Sequence, residues 1–410
     1  MPVDRIASIE AFSVRLARDT AAVSGTAGSP TALQAGRFDY RWSATYDTLY
    51  SVNFESALVK LTAESGLVGW GEAQAPLAPD VACLITEQIL RPAIEGRPFE
   101  LSARGVGALR KRMYAAMRVR GQTGGFMLDA IAGVDIALWD LVGRAAGRPV
   151  CDLLEGGSPD TSVPAYLSGL GGETLGAHIA QAEAAWESGF RTFKLFLDRS
   201  PGELIQIATA LRARFGPAAR IAVDALWHLD PAAATEFGRA LDAAGALWLE
   251  CPFPPEMLSA HARLATEIKT PIALGESYRS RYELGPFLSQ GCVGWLQPDL
   301  GRCGITEAAA IARQVAARHP EVQIAPHISI ALGPQIAAAL HFAAAMPTVS
   351  VAEYNPDVLS VANRFLAEPL VLAGHRYRVP RSPGLGIDID EAAVRAVAQR
   401  PVLRALADDR

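Results

Sequence analysis

The sequence predicts an α/β fold: a modified TIM barrel of the (β/α)7β type carrying an α+β capping domain. Three observations predict it. First, seven ionisable residues, Lys194, Asp224, Glu250, Glu276, Asp299, His327 and Glu353, recur at gaps of 30, 26, 26, 23, 28 and 26 residues. Second, each closes a short, mostly apolar run: FRTFK, ARIAVD, ALWLE, TPIALGE, GWLQPD, VQIAPH and VSVAE. Such runs read as strands buried on both faces. Third, the stretches between them are alanine-rich with helical periodicity. A strand, a helix and two loops take roughly 25–30 residues, the repeat of an eight-stranded α/β barrel. In that barrel the C-terminal strand ends converge on one cavity, so seven charges are aimed at one site. That convergence is the mark of an enzyme.

The elements before the barrel follow a different rhythm. Residues 1–16 alternate apolar and polar, as a strand does. Residues 17–50 are rich in Gly, Ser, Thr and Ala and end in RFDYRWSATYDTLY; a structureless loop this long is usually functional or disordered. Residues 53–73 read as a hairpin, ESALVKLTA, a Ser-Gly turn, then LVGWGEA. Helical periodicity covers 80–120, and 127–146 reads as an amphipathic helix stopped by Gly147 and Pro149. The cap is therefore assigned to 1–160. SVPAYLSGL (162–170) supplies the first barrel strand, and the barrel spans 161–355. In 356–410 the pattern changes to short strands and turns, then a terminal helix over EAAVRAVAQRPVLRAL, expected to pack back on the cap.

Composition narrows the classes. The chain has 410 residues, 50% hydrophobic and 20% charged, with a net charge of −5, ordinary for a globular protein. It has no basic cluster, so nucleic acid is not an expected partner. The start lacks a cationic stretch followed by an apolar one, so no secretory signal is expected. No apolar run approaches the roughly 18 residues of a membrane span. The five cysteines are scattered without a CxxC pair, which favours neither disulfides nor a zinc cluster and suits a reducing cytoplasm. Only four lysines occur. One, Lys194, sits inside an apolar run, where an amine can lose its proton and a guanidinium cannot.

The strand-end chemistry is specific. Asp224, Glu250 and Glu276 fall on successive strands. Any one alone reads equally well as a helix cap or ion-pair partner. Three side by side repel one another unless a cation joins them, and all-oxygen ligation with open positions suits Mg2+. Asp299 beside His327 would orient the imidazole and raise its basicity, making a general acid/base. Glu353 is expected as an acid that hydrogen-bonds a developing oxyanion. Lys194 is expected as a second proton carrier or as a clamp for a substrate carboxylate. These parts suit removal of a proton next to a carboxylate, giving an enediolate. General acid–base help of roughly 10²–10⁴-fold is too little alone for such a carbon acid.

Lys194 in GFRTFKLF, Asp224 in VDA, Glu250 in LECPF, Glu276 in GES, Asp299 in QPD, His327 in PHIS and Glu353 in AEY together resemble the enolase superfamily. More narrowly they resemble its mandelate racemase subgroup, including acid-sugar dehydratases. GLVGWGEA (66–73), VDIALWDLVGRAAGRPV (134–150) and PGLGIDID (383–390) extend the likeness along the chain. The resemblance implies that 17–50 closes over the substrate. A homo-oligomer is expected. Two departures stand out. Many members carry a second lysine two residues after the first, where this chain has Phe196. Many carry Asn or His two residues after the first metal ligand, where this chain has Leu226, with His228 two further on. A racemase needs acid/bases on both faces, so Phe196 favours dehydration with His327 as the principal proton carrier. His228 is a candidate substrate contact, or a loop histidine packed on Trp227. Arg41, with Arg37, Tyr40 and Trp42, is a candidate for gripping a distal carboxylate or hydroxyls.

The leading expectation is Mg2+-dependent dehydration of a sugar acid, an aldonate or aldarate, to a 2-keto-3-deoxy acid. The alternatives are a racemase, epimerase or cycloisomerase on a related carboxylate, and a non-catalytic binding barrel.

Overall fold

The computed structural model describes residues 2–17, 39–43, 48–154 and 161–399. The cap sheet contains strands β1 (Val3–Ala17), β4 (Asn53–Ala63) and β5 (Val68–Ala73), antiparallel in that order. A hairpin of β2 (Tyr40–Ser43) and β3 (Thr48–Ser51) precedes β4, and a short strand β6 (Pro98–Glu100) pairs with β1. Most of the expected lid, including Arg37, lies outside the described residues.

Helix Gly125–Ala146 follows the expected span but is not amphipathic. Every residue from Met127 to Gly143 is buried. It lies between β4 and β5 on one side and the barrel helix Leu300–Arg318 on the other, so no face is left for water. Its close approach to β5 explains the glycines of GWGEA. A Cβ at Gly69 would stand 2.2 Å from the Ala137 carbonyl oxygen, and one at Gly71 would stand 2.0 Å from that of Gly133.

The barrel strands are β7 (Ser162–Ser168), β8 (Thr192–Phe196), β9 (Arg220–Asp224), β10 (Trp248–Glu250), β11 (Ile272–Leu274), β12 (Trp295–Leu296), β13 (Gln323–Ile324) and β14 (Ala352–Tyr354). They pair in parallel order from β7 to β13, β14 pairs with β7, and an Ile324–Val349 bridge joins the remaining edge. A helix of nine or more residues follows each strand from β7 to β13. Thr174, Ser200 with Glu203 in a capping box, and Asp230 cap the helices after β7, β8 and β9. The barrel interior is filled, not hollow. Tyr166, Trp248 and Trp295 alternate with Ala222, Ala273 and Ala325 beneath the site, large against small as a closed core requires.

The C-terminal segment divides. Strands β15 (Leu372–Ala373) and β16 (Arg376–Arg378) form a hairpin on the barrel strand β7, not on the cap. From Gly384 onward the chain returns to the cap, where Leu385 N donates to Asp140 Oδ1 at 2.8 Å and Arg144 Nη2 donates to the Ile387 carbonyl at 2.7 Å. Of the expected terminal helix, Glu391–Val397 is helical, Ala398–Gln399 instead forms β17 paired with β1, and the rest lies outside the described residues. All five cysteines are free and buried. Among the described residues no helix is long and apolar enough to cross a membrane.

His341 binds three pieces of chain together. Its Nδ1 accepts from Cys151 N at 3.3 Å, and its Nε2 faces the Leu385 carbonyl at 2.9 Å. That pattern fixes a neutral ring, and burial pushes its pKa down from 6.5 to about 4. Below pH 6.5 the unfolded chain takes up a proton that the folded chain refuses. The resulting stability is full above 6.5 and falls as pH approaches 4, by up to about 3 kcal/mol. We therefore expect the stability gap between the wild type and His341→Gln, followed by urea unfolding, to shrink between pH 7 and pH 4. A gap independent of pH would contradict the neutral ring.

Candidate active site

The register of the barrel brings the acidic residues together. Phe196, Asp224 and Glu250 are cross-strand neighbours on β8, β9 and β10. Glu276 lies two residues beyond β11, and Asp299 and His327 lie beyond β12 and β13, joined by a parallel bridge. The backbone next to the carboxylates is held in the left-handed region without glycine, at Leu226 (φ 53°), Trp227 (φ 61°) and Cys251 (φ 45°). Each such residue costs of order 1–3 kcal/mol and persists only where its surroundings impose it.

Oxygens of Asp224, Glu250 and Glu276 lie within 4.8 Å of one another. Burial, then the charge of Glu250, pushes Asp224 well above the usual carboxylate range. Three carboxylates this close repel one another when ionised, and every ligand atom they offer is a carboxylate oxygen. Both properties fit a hard divalent cation.

Lys194 is buried among carboxylates. Its Nζ is 2.8 Å from Glu250 Oε1, 3.0 Å from Glu353 Oε1 and 3.7 Å from Asp224 Oδ2. Burial disfavours the ammonium, but Glu250 and Glu353 outweigh it and hold the pKa well above the usual lysine value. The ammonium form of Lys194 is therefore favoured in this arrangement. Its Nζ also stands 5.2 Å from the ring centre of Phe196, which shares its strand face. Glu250 Oε2 accepts from Trp248 Nε1 at 2.9 Å and Gln297 Nε2 at 2.7 Å.

His327 Nδ1 faces Asp299 Oδ2 at 2.8 Å, and Nε2 faces Glu276 Oε2 at 3.0 Å. Burial works against the charged ring, but Glu276 and Glu353 raise its pKa well above the ordinary value. Asp299 has two roles at once, since Oδ1 also caps the helix Leu300–Arg318 through Gly301 N. Glu353 stands at the eighth strand, facing both cations of the site. Burial pushes its carboxyl up, but Lys194 and His327 bring it below the usual range, and Oε2 accepts from Ile328 N at 2.8 Å. With these contacts the carboxylate form of Glu353 is favoured at this site.

A cavity of about 320 Å3 opens over this cluster, lined by Lys194, Asp224, Glu276, His327 and Glu353 from the barrel and by Tyr50, Phe54 and Glu55 from the cap. Neither His228 nor Arg41 is among its lining residues. His228 is exposed, with Leu226 and Trp227 turned to the cavity instead. Arg41 lies on β2 with Nη1 on the Tyr40 carbonyl at 3.0 Å. Several polar lining residues were not anticipated, among them Arg302, Glu55 and Ser168. Arg302 sits one helical turn beyond Asp299, a spacing that was readable; Glu55 and Ser168 carry no local signal.

Two family models match the chain. The mandelate racemase / muconate lactonizing enzyme N-terminal domain matches residues 49–155, and the enolase C-terminal domain-like family matches 177–393. The chain is 31% identical to a D-galactarolactone cycloisomerase of Agrobacterium fabrum, covering 89% of this chain and 97% of that protein. It is 31% identical to a D-galactonate dehydratase of Ralstonia nicotianae, over 85% and 92%. A member of the enolase superfamily from Agrobacterium tumefaciens superposes with a TM-score of 0.88 at 29% identity, covering 97% of this chain and 100% of that one. Cap, barrel and strand-end constellation agree with these matches along the chain, which belongs to the enolase superfamily, in its mandelate racemase subgroup.

Proposed function

We propose that this enzyme is a lyase that dehydrates a sugar acid, an aldonate or aldarate, to a 2-keto-3-deoxy acid. The observation that carries the reading is the His327–Asp299 pair at the rim of the acidic cluster, with Phe196 where a second base would stand. Asp224, Glu250 and Glu276 would hold Mg2+, which when bound neutralises charge building on the substrate carboxylate. Lys194 clamps that carboxylate as an ammonium. Asp299 keeps the proton on His327 Nδ1, so Nε2 is the atom that moves a proton. Nε2 takes the α-proton, the C–H electrons form the double bond of an enediolate, and the C3–O bond then breaks. Nε2 returns its proton to the departing hydroxyl, which leaves as water, and the enol tautomerises to the 2-keto acid.

The cycloisomerase relative favours a second reading. The same α-proton is removed, but the leaving group is the carboxylate of a lactone instead of a hydroxyl. Both use one proton carrier. Racemisation needs two, and phenylalanine at 196 cannot be one.

Glu250→Gln is expected to abolish turnover and weaken Mg2+ binding, read by calorimetry, with an unchanged circular-dichroism spectrum; full activity after exhaustive chelation would defeat the metal assignment. His327→Asn is expected to lower kcat by about 10²–10⁴-fold while Mg2+ affinity holds, and near-native turnover would exclude His327. In D2O with a panel of acid sugars and their lactones, the expected product is a keto acid with solvent deuterium at C3. A C2 epimer carrying α-deuterium, with no keto acid, would make the enzyme a racemase.

A further inference from the structure

The His327–Asp299 pair is held from outside the barrel. Asp299 gives Oδ2 to His327, while Oδ1 accepts from Gly301 N at 2.9 Å and Gln335 Nε2 at 3.0 Å. A carboxylate with two donors on one oxygen cannot turn about its last torsion, so the other oxygen stays aimed at the imidazole. Gln335 is fully buried, and only one orientation of its amide works, since the reverse would set its carbonyl oxygen against the carboxylate.

What places Gln335 is the cap. The helix Pro334–Ala345 starts after Gly333, which has no side chain to cap it. Glu72, on β5 of the other domain, supplies the cap. Its carboxylate accepts from Leu332 N at 2.6 Å, Gln335 N at 3.0 Å and Ser56 Oγ at 2.7 Å. Two residues on, Gln74 donates to Ser329 Oγ and accepts from Arg302 Nε. The end of β5 thereby grips both the helix start that follows Asp299 and the loop that follows His327. Glu72, Gln335 and Asp299 are each completely buried, so water cannot replace any link that is lost. Neither Glu72 nor Gln335 lines the cavity, which excludes a direct part in the chemistry.

We propose that Glu72 and Gln335 are positioning residues for proton transfer, acting in series through Asp299 to fix the orientation of the His327 ring. The proposal rests on the reading of His327 as the proton carrier. Residues that orient a functional imidazole at one remove are worth about 10–100-fold. Gln335→Leu keeps the length of the side chain and removes the donor. Glu72→Gln keeps its shape and turns one acceptor into a donor facing N–H groups.

The experiment combines kinetics with the ring's own signal. In 15N-histidine-labelled protein the Nδ1 proton of His327 is identified by its loss in His327→Asn. It is expected to shift or broaden in both Gln335→Leu and Glu72→Gln. Kcat is expected to fall about 10–100-fold in Gln335→Leu, with KM and the Mg2+ titration within about twofold. The double variant should be no slower than Gln335→Leu alone, since links in series are not additive. An unmoved resonance, a kcat within about threefold of wild type, or losses that multiply in the double variant would overturn the proposal. If the wild type turns over no sugar acid, the functional reading fails while the resonance still decides the relay. Should Glu72→Gln unfold, Gln335→Leu carries both measurements.

Discussion

The mouth of the barrel buries Lys194 among Glu250, Glu353 and Asp224, and much of the surrounding structure exists to make that burial tolerable. Taking charges out of water costs several kcal/mol per ion unless each is paired and hydrogen-bonded. Here the donors are specific. Trp248 and Gln297 serve Glu250, Ile328 N serves Glu353, Leu226 N serves Asp224, and Gly301 N and Gln335 serve Asp299. Leaving a single partner out would strand a charge. The aromatic floor of Tyr166, Trp248 and Trp295 keeps solvent from entering below, and it explains why an indole faces inward in a barrel whose mouth is so polar.

The same constraint accounts for the strained backbone. Leu226, Trp227 and Cys251 adopt left-handed conformations directly after the strands that end in Asp224 and Glu250. A relaxed turn would carry these side chains off the rim. The strain is retained because the buried cluster, once assembled, over-determines the chain around it. It also turns Leu226 and Trp227 toward the cavity and leaves His228 outside.

Much of this was legible in the sequence, for reasons that differ by residue. The strands could be read because each ends at a charge after an apolar run, and the chain repeats that unit at nearly constant spacing. Lys194, Asp224, Glu250, Glu276, Asp299, His327 and Glu353 could be listed for the same reason, and the structure draws them together. The surroundings of Glu353 were not readable, because they depend on Lys194 and His327 facing it in space. Arg41 and His228 were chosen by residue type on loops, where nothing in a sequence says which way a side chain turns. The helix Gly125–Ala146 was expected to be amphipathic, but burial by a sheet on one side and a helix on the other leaves no polar face. Glu72 and Gln335 were invisible as a pair because their link joins residues 263 apart.

That fully enclosed helix has a consequence for how such a protein can change. A module joined to its neighbour through an exposed linker can be swapped or trimmed with little disturbance. Here the segment between cap and barrel is core to both, wedged against β5 so tightly that two glycines admit no side chain. The cap is therefore not a detachable lid on an independent catalyst. New substrate preferences must be acquired at its periphery, in the β2–β3 hairpin and the loops over the cavity, while β5 and the helix behind it are inherited unchanged with the chemistry that they frame.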